Sequence, residues 1–501
     1  MIITRRFTDP HAIRVVGASL ALVVAMSIAA WVAWPLLIAM AIVALALTAY
    51  AAHRWPLATL VVSTLAVLAD PVLVPTVLPD TIVLGPVGVS EGLIAVTGAV
   101  IAVDAWRRGA FWPALRDPVL ALIVAFTAVA AISAIVSGTP PRTALLGIVM
   151  TVDAVAVYFI ARMTPAGTKP LAYALGTIIA VVAFASLMGI LQVVLHPDLL
   201  GFASFAGRFG EGGRITSFLG NPNMIAAIVG FVLPYPLYAA RHLTQLRHRQ
   251  IAFAILVGFC LTLLLTFSRG AWLAVFLGAL VGVLVLDRRA LLTLILAVAA
   301  AWLITIVMPR NLLIPPEDLA LYFPESGAPN IIDSTFDRLD AIYERRDLRM
   351  QFIREGLPIV LDNPVLGVGP GRYGGAAAAI AGSTEVLEAY DTSLYGFRTV
   401  HNFWLHLLGE VGVLGTAVFL TMIVGLWLRM VRAARRATDP IVFTLLAATA
   451  TAVGIVALNN VTEMIFEGNF PGFLMWMVIG LVSTLAPSVA LFARAKLADA
   501  T

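Results

Sequence analysis

The sequence predicts an all-α integral membrane protein with about 12–14 transmembrane helices, and three observations support this prediction. Of the 501 residues, 61% are hydrophobic, only 12% are charged, and the apolar residues fall in long blocks. A soluble domain is about 25% charged. A soluble chain as apolar as this one would have too little polar surface to face water.

The apolar blocks follow one another along the chain, and most approach the roughly 20 residues that a helix needs to cross a bilayer. The first, from Ile13 to Trp34, is longer than the apolar region of a cleaved signal peptide, so we interpret it as a retained span. We predict about fourteen helices, near 13–33, 36–52, 56–70, 92–106, 118–137, 143–162, 171–195, 223–240, 251–267, 270–286, 290–308, 401–428, 441–461 and 471–493.

The longest apolar run predicts a break. Residues Ile251 to Leu286 form a run of 36 residues, which as one helix would be about 54 Å long against a hydrocarbon core of about 30 Å. The run is therefore two helices. The only break available is Ser268-Arg269-Gly270.

The basic residues are distributed as the positive-inside rule requires. With a cytoplasmic N-terminus, the inner loops hold most of them, and the short outer loops hold only Arg142, Arg208, Arg214 and Arg269. The helix count is therefore even and both termini are cytoplasmic. Because these residues cluster between apolar blocks, the net charge of +4 reflects membrane topology and not nucleic-acid binding.

This pattern divides the chain into three parts. Residues 1–308 carry eleven predicted helices with an outer loop near 196–222, residues 309–400 form one large outer loop, and residues 401–501 carry the last helices. Within the large loop, Ser334 and Asp337 resemble a capping box, and Pro358 is expected to kink or end the first helix. An apolar stripe predicts amphipathic helices on the membrane surface or over a cavity; it comprises Phe336, Leu339, Tyr343, Met350, Ile353, Leu357 and Val360.

The first candidate for a functional site is the glycine-rich segment Gly207–Asn223. It carries Arg208 and Arg214 and leads into a helix that begins near Pro222. Backbone amides at a helix N-terminus and a neighbouring arginine form an anion site. The alternative is a polar loop whose glycines allow tight turns.

The second candidate is Arg269, which the break places in the first turn of a helix. A cation is unfavourable there because the helix dipole prefers an anion. We therefore interpret Arg269 as sharing an anion with the helix end. The alternative is an arginine that extends to the membrane interface.

Two further candidates flank the end of the large loop. His401 opens a helix and is a candidate base near neutral pH, whereas Asn402 beside it suits a simple helix cap. The segment from Asp362 to Tyr373, with Arg372, allows a tight turn but is weak as a motif. All four candidates fall on the outer face, which indicates a site for an anionic, lipid-linked substrate. No nucleotide-sugar pool exists there, so a transferase would use a lipid phosphate donor.

Two strings in the C-terminal half resemble the signature of the O-antigen ligase and O-antigen polymerase superfamily. They are NPVLGVGPGRYG and HNFWLHLLGEVGVLGTAVFL, a glycine turn followed by His-Asn leading a helix with Glu-x-Gly-x-x-Gly. The upstream strings RITSFLGNPN and LTFSRGAWLAV are also similar to family patterns. The similarity covers roughly Arg208 to Phe419.

The resemblance implies a GT-C-like glycosyltransferase of the bacterial inner membrane, with its active site on the periplasmic or outer face. Such enzymes take a glycan from undecaprenyl pyrophosphate. Ligases pass it to lipid A–core in lipopolysaccharide synthesis, and polymerases pass it to another lipid-linked repeat unit. The family works without a metal or nucleotide, so no cofactor is implied. Direct displacement would invert the anomeric centre.

Carried over by position, the resemblance implies that His401 is the essential catalytic histidine. Arg214 and Arg269 would bind the pyrophosphate. Supporting positions are Arg208, Asn221, Arg372, Asn402 and Glu410. For Arg372 the resemblance implies no role, because many relatives have a small polar residue there.

Two other function classes compete with the transferase. A transporter or flippase for lipid-linked sugars should carry charges in a central cavity at mid-membrane depth. Here the middles of the predicted helices are nearly free of charge, with Asp153 as the main exception. A non-catalytic envelope scaffold is the third reading. Ligase and polymerase are not distinguished by the sequence.

Overall fold

The structure is a computed structural model, and it describes residues 34–66, 89–196, 214–219, 221–309, 312–313, 348–394, 400–466 and 470–486. Some sequence predictions fall outside these residues. They include the helix near 13–33, Arg208, the capping box of Ser334 and Asp337, and the stripe residues Phe336, Leu339 and Tyr343.

The described residues are helical and contain no strand. Nine helices among them are long and apolar enough to cross a membrane, so the chain is an all-α, multi-pass membrane protein. In chain order the helices are α1 (Trp34–Arg54), α2 (Pro56–Ala66), α3 (Val89–Arg107), α4 (Phe111–Leu115), α5 (Pro118–Val136), α6 (Pro141–Met163), α7 (Thr168–Val194), α8 (Pro222–Val232), α9 (Pro234–His242), α10 (Leu246–Leu265), α11 (Arg269–Leu286), α12 (Ala290–Val307), α13 (Leu348–Asp362), α14 (Gly375–Ala381), α15 (Glu385–Ala389), α16 (Phe403–Arg436), α17 (Pro440–Asn459) and α18 (Phe470–Ser483).

The predicted break in the long apolar run is present. Helix α10 ends at Leu265 and α11 begins at Arg269. Between them Phe267 has a φ of 50°, a left-handed conformation that a helix cannot continue through. The span predicted near 223–240 is present as Pro222–His242. Its two segments α8 and α9 meet at Leu233, because Pro234 lacks the amide hydrogen that would continue the ladder.

Helix α17 lies at the centre of the C-terminal bundle, in contact with α8, α9, α11 and α16. Gly278 and Gly282 of α11 face Ile455 and Thr451 of α17, and a Cβ atom at either glycine would collide with them. Small residues four apart allow two membrane helices to pack backbone to backbone. The close α11–α17 contact fixes the neighbouring ends of both helices, where the candidate site lies.

Buried ion pairs join several helices at the end of the bundle opposite the candidate site. The Asp117 carboxylate, fully buried at the start of α5, contacts Arg162 of α6 at 3.2 Å and Arg429 of α16 at 2.5 Å. Arg162 also donates to Ser483 Oγ in α18 at 2.7 Å. A buried charge is tolerated when it is paired, so this cluster ties four helices together at one level.

Helix α16 is two helices joined at Gly412, which has a φ of 63° and a ψ of −168°. The break frees backbone groups on both sides, and the glycine turn after α13 satisfies them. Val368 N donates to Gly409 O at 2.8 Å, and Val413 N donates to Pro364 O at 2.9 Å. The two halves of the sequence signature therefore form one structural unit, in which the glycine turn caps a broken helix.

We expect Gly412→Ala to destabilise the protein by about 1–3 kcal/mol. Its Cβ would collide with the Val365 carbonyl, and its φ is left-handed. Thermal unfolding in detergent measures the effect. The matched control is Gly258→Ala, where a Cβ meets nothing within 4 Å in helix α10, and an unchanged midpoint for both variants would contradict the capped break.

The buried face of helix α13 coincides only in part with the predicted stripe. Phe352, Gly356, Ile359 and Val360 are buried, whereas Leu357 of the stripe is exposed. Tyr373 and Val400 approach the helix at Gly356, which places this side in the interior. The helix continues past Pro358 to Asp362, so this proline does not end it.

Candidate functional site

A turn between α17 and α18 forms the floor of the candidate site. Asn460 is fully buried, and its side-chain oxygen accepts from the amides of Ile465 at 2.8 Å and Phe466 at 3.2 Å. The amide of Phe403 donates to Asn460 O and Glu463 O. This backbone contact brings the start of α16, with His401, against the turn that carries Glu463.

Arg214 is fixed beside this turn by two hydrogen bonds. Its Nε donates to Thr266 O at 2.7 Å, and its Nη2 donates to Asn223 Oδ1 at 2.7 Å. The guanidinium thus joins the α10–α11 connector to the first turn of α8. Burial raises the pKa of the Glu463 carboxyl, and the positive charge of Arg214 is one of the charges that oppose this shift.

Arg269 lies near the same turn, because the next residue, Gly270, packs against it. Gly270 lies so close to Thr462 that a Cβ would collide with the threonine hydroxyl. Arg269 therefore starts α11 directly beside the turn that carries Glu463. Because Arg214 binds Thr266 in the same connector, both predicted arginines belong to one end of the bundle.

A third arginine comes from helix α13 in the large loop. Arg349 Nη2 donates to Glu463 Oε1 at 2.7 Å. Burial raises the pKa of Glu463, and the charges of Arg349 and Arg214 oppose this shift. Glu463 therefore links an arginine of the loop to the membrane-spanning bundle.

His401 lies next to this ion pair. Its ring stacks on Phe352 of α13 with 6.1 Å between ring centroids, and its φ of 47° is left-handed. Burial lowers the pKa of His401, and the positive charge of Arg349 lowers it further. At neutral pH the imidazole is therefore neutral and able to accept a proton.

We name Arg214, Arg269, Arg349, His401 and Glu463 the site cluster. It contains three guanidinium groups, one carboxylate and one neutral imidazole, so its net charge is positive. Guanidinium groups bind phosphate oxygens in a bidentate manner. The cluster is thus suited to hold an anion with more than one phosphate-like group next to a base.

Two predicted supporting residues act as helix caps. Asn221 Oδ1 accepts from the amides of Asn223 and Met224, and Asn402 Oδ1 accepts from the amide of Leu405. The anion site expected at the N-terminus of α8 is not formed by these two amides, because the asparagine cap already occupies them. The capping alternative therefore describes Asn402, and Asn221 is a helix cap that the sequence analysis did not predict.

Of the five predicted supporting residues, the remaining two in the described part of the chain connect the glycine turn to neighbouring helices. Glu410 Oε1 accepts from Gly371 N at 2.7 Å and lies 3.4 Å from His406 Nε2. Arg372 donates to Ser137 O at 2.9 Å, at the end of α5. These contacts join the turn to α5 and α16 and do not connect to the site cluster.

An apolar groove of about 660 Å³ lies among α10, α11 and α12. Its lining includes Trp272, one helical turn after Arg269, and extends to Leu291 at the start of α12, at the opposite end of the bundle. Trp272 Nε1 donates to Leu263 O at 2.5 Å, which fixes the indole at the end of the groove nearest Arg269, the groove mouth. The groove therefore begins beside the site cluster and extends along the membrane-spanning helices.

A comparison with family models finds a match to O-antigen ligase over residues 251–420. The match covers about a third of the chain, and it supports the resemblance to O-antigen ligases and polymerases and to their glycosyltransferase-type activity. The matched region contains Arg269, Arg349, His401 and the glycine turn, while Arg214 and Glu463 lie outside it. A comparison with curated proteins finds no match.

Proposed function

We propose that this protein transfers a glycan from an undecaprenyl pyrophosphate-linked donor to a sugar hydroxyl at the outer face of the bacterial inner membrane. The observation that carries the proposal is the position of His401 beside the Arg349–Glu463 ion pair, because it joins a base to an anion site. In the proposed orientation both termini are cytoplasmic.

In the proposed reaction His401 takes the proton of the acceptor hydroxyl as its oxygen attacks the anomeric carbon. The bond between that carbon and the pyrophosphate oxygen breaks, and the anomeric centre inverts. Negative charge grows on the leaving pyrophosphate. Arg214 and Arg349, which hydrogen bonds hold in place before the reaction begins, stabilise this charge together with Arg269 beside them.

Glu463 is proposed to position the arginines. Its hydrogen bond at 2.7 Å orients Arg349, and its charge compensates part of the repulsion between Arg349 and Arg214. When the donor binds, the negative charge of its phosphates offsets the repulsion between the arginines in place of Glu463. Residues Arg349 and Glu463 thus extend the site that the sequence predicted.

The groove beside Trp272 is proposed to hold the polyprenyl tail of the donor. Its lining is almost wholly apolar, as burial of a hydrocarbon chain requires. Because the groove mouth lies one turn from Arg269, a tail in the groove places the pyrophosphate at the site cluster. The site and the groove together thus fit an amphipathic donor.

The experiment is reconstitution of the purified protein in vesicles with an undecaprenyl pyrophosphate-linked repeat unit in excess EDTA, without and with lipid A–core. Mass spectrometry reads the products. Products that grow by whole repeat units indicate a polymerase, and glycan found only on lipid A–core indicates a ligase. No product with either acceptor would contradict the proposal and favour transport or a scaffold.

The pH dependence gives a further prediction. Because the pKa of His401 lies below its ordinary value of 6.5, the acid limb of kcat/KM should fall below pH 6.5. In Arg349→Gln the loss of a nearby positive charge should raise the pKa of His401 and move this limb to higher pH. Burial persists, so the shift is partial.

The control for this profile is Arg354→Gln, an exposed arginine about one turn further along α13. It should leave the acid limb in place. An acid limb that stays fixed in Arg349→Gln would show that Arg349 does not act on the group that titrates.

A further inference from the structure

Helix α13 has two different apolar faces. One is buried and carries Phe352 and Ile359, which pack toward His401 and α16. The other carries Leu357 and Leu361, which are 41% and 67% exposed. A water-facing helix does not usually present two large apolar side chains one turn apart to solvent.

The exposed face continues onto the broken helix. Val365, Val413 and Leu414 are each about half exposed. Backbone hydrogen bonds join the glycine turn, which carries Val365, to the start of the second half of α16. Val413 N donates to Pro364 O at 2.9 Å, and Leu414 N donates to Val365 O at 3.3 Å. Leu357, Leu361, Val365, Val413 and Leu414 therefore form one surface, which we name the α13 apolar face.

This surface is continuous with the lipid-facing side of a span. Further along α16, Leu420 and Val424 are also exposed, on a helix long and apolar enough to cross the membrane. Exposed apolar side chains on such a helix face hydrocarbon. The α13 apolar face therefore begins where the lipid-facing side of α16 ends.

The depth of the surface can be derived from the helix rise. Arg429 pairs with Asp117 at the start of α5 and marks one boundary of the bundle. From Arg429 back to Val413 the helix rises about 24 Å, against a hydrocarbon core of about 30 Å. Val413, and Pro364 bonded to it, thus lie near the opposite hydrocarbon boundary.

We propose that the α13 apolar face inserts into the membrane leaflet on the side of the site cluster. Helix α13 is then an interfacial helix held by lipid on one face and by α16 on the other. Arg354, exposed three residues before Leu357, is in position to reach lipid phosphates from the same side. The inference does not depend on the proposed reaction.

Insertion has a consequence for the site cluster. The same helix carries Arg349 and Phe352, which contact Glu463 and His401. A helix held in the leaflet keeps these two side chains at a constant depth relative to the spans. The lipid surface thereby becomes part of the support of the site.

The test uses an environment-sensitive fluorophore on single cysteines. Cys260 is buried and is first replaced by serine. One label is placed at Leu361→Cys, and the matched control label is placed at Glu388→Cys, an exposed polar position of α15. The proteins are reconstituted in phosphatidylethanolamine–phosphatidylglycerol vesicles with or without brominated acyl chains.

We expect blue-shifted emission at position 361 that brominated chains quench, and water-like emission at position 388 that iodide quenches. Emission at 361 that iodide quenches and brominated lipid does not would overturn the proposal. Emission at 361 quenched by neither, together with energy transfer between labelled copies, would also overturn it, because a second copy of the chain would then cover the face.

Discussion

Replacement of His401 by alanine is expected to lower kcat of glycan transfer by about 10²–10⁴-fold, the usual contribution of a general base. The acceptor hydroxyl is a poor nucleophile, and His401 is the neutral imidazole placed beside the arginines. Donor binding should remain, because the arginines are untouched. Rates in reconstituted vesicles, with donor binding measured alongside, test this result.

Folding must be controlled in this experiment because His401 has a left-handed φ of 47°. Asparagine tolerates that conformation better than alanine and also lacks a base, so His401→Asn should lose activity with a stable fold. His248→Ala, at an exposed histidine near the start of α10, should keep full activity. Wild-type rates in both His401 variants would exclude His401 as the base.

Replacement of Arg214 by glutamine is expected to lower kcat by about 10²–10³-fold, the cost of removing one fixed donor from a developing anion. It should also weaken donor binding, since the guanidinium is present in the ground state. The kcat of Arg214→Lys should lie between those of the wild type and Arg214→Gln. An ammonium is a point charge that cannot bridge Thr266, Asn223 and a phosphate as a guanidinium does.

Arg142→Gln is the matched control for Arg214. Arg142 is an exposed arginine at the start of α6 whose Nη2 lies 3.5 Å from Ile380 O, and no described contact joins it to the site cluster. Its loss should leave rate and donor binding unchanged. If Arg142→Gln were as damaging as Arg214→Gln, the effect would reflect general surface charge and not a pyrophosphate site.

Much of the bundle could be predicted from apolar block length alone. The break before Arg269 follows because 36 apolar residues are too long for one span. The break at Gly412 could not be predicted, since glycines in an apolar run are usually tolerated within a helix, and the flanking Gly409 and Gly415 are helical. It becomes intelligible only with the glycine turn that caps it, which is distant in sequence.

The candidate site was also predictable in part, because the apolar blocks set the topology of the loops between them. Topology placed Arg214, Arg269 and His401 on one face, and the structure brings them to one end of the bundle. Arg349 and Glu463 were missed because one lies on a loop helix and the other in a short turn. Their role is visible only from the hydrogen bond between them, which joins two residues 114 positions apart in the sequence. An acid in an outer loop with few other charges was the one available signal for Glu463.

We propose that the site cluster binds the donor pyrophosphate and that His401 acts only after binding. Equilibrium binding of undecaprenyl pyrophosphate to the reconstituted wild type, His401→Ala and Arg214→Gln separates these two roles. We predict equal affinity for wild type and His401→Ala and clearly weaker binding for Arg214→Gln. Equal affinity of all three proteins would show that Arg214 does not bind the pyrophosphate.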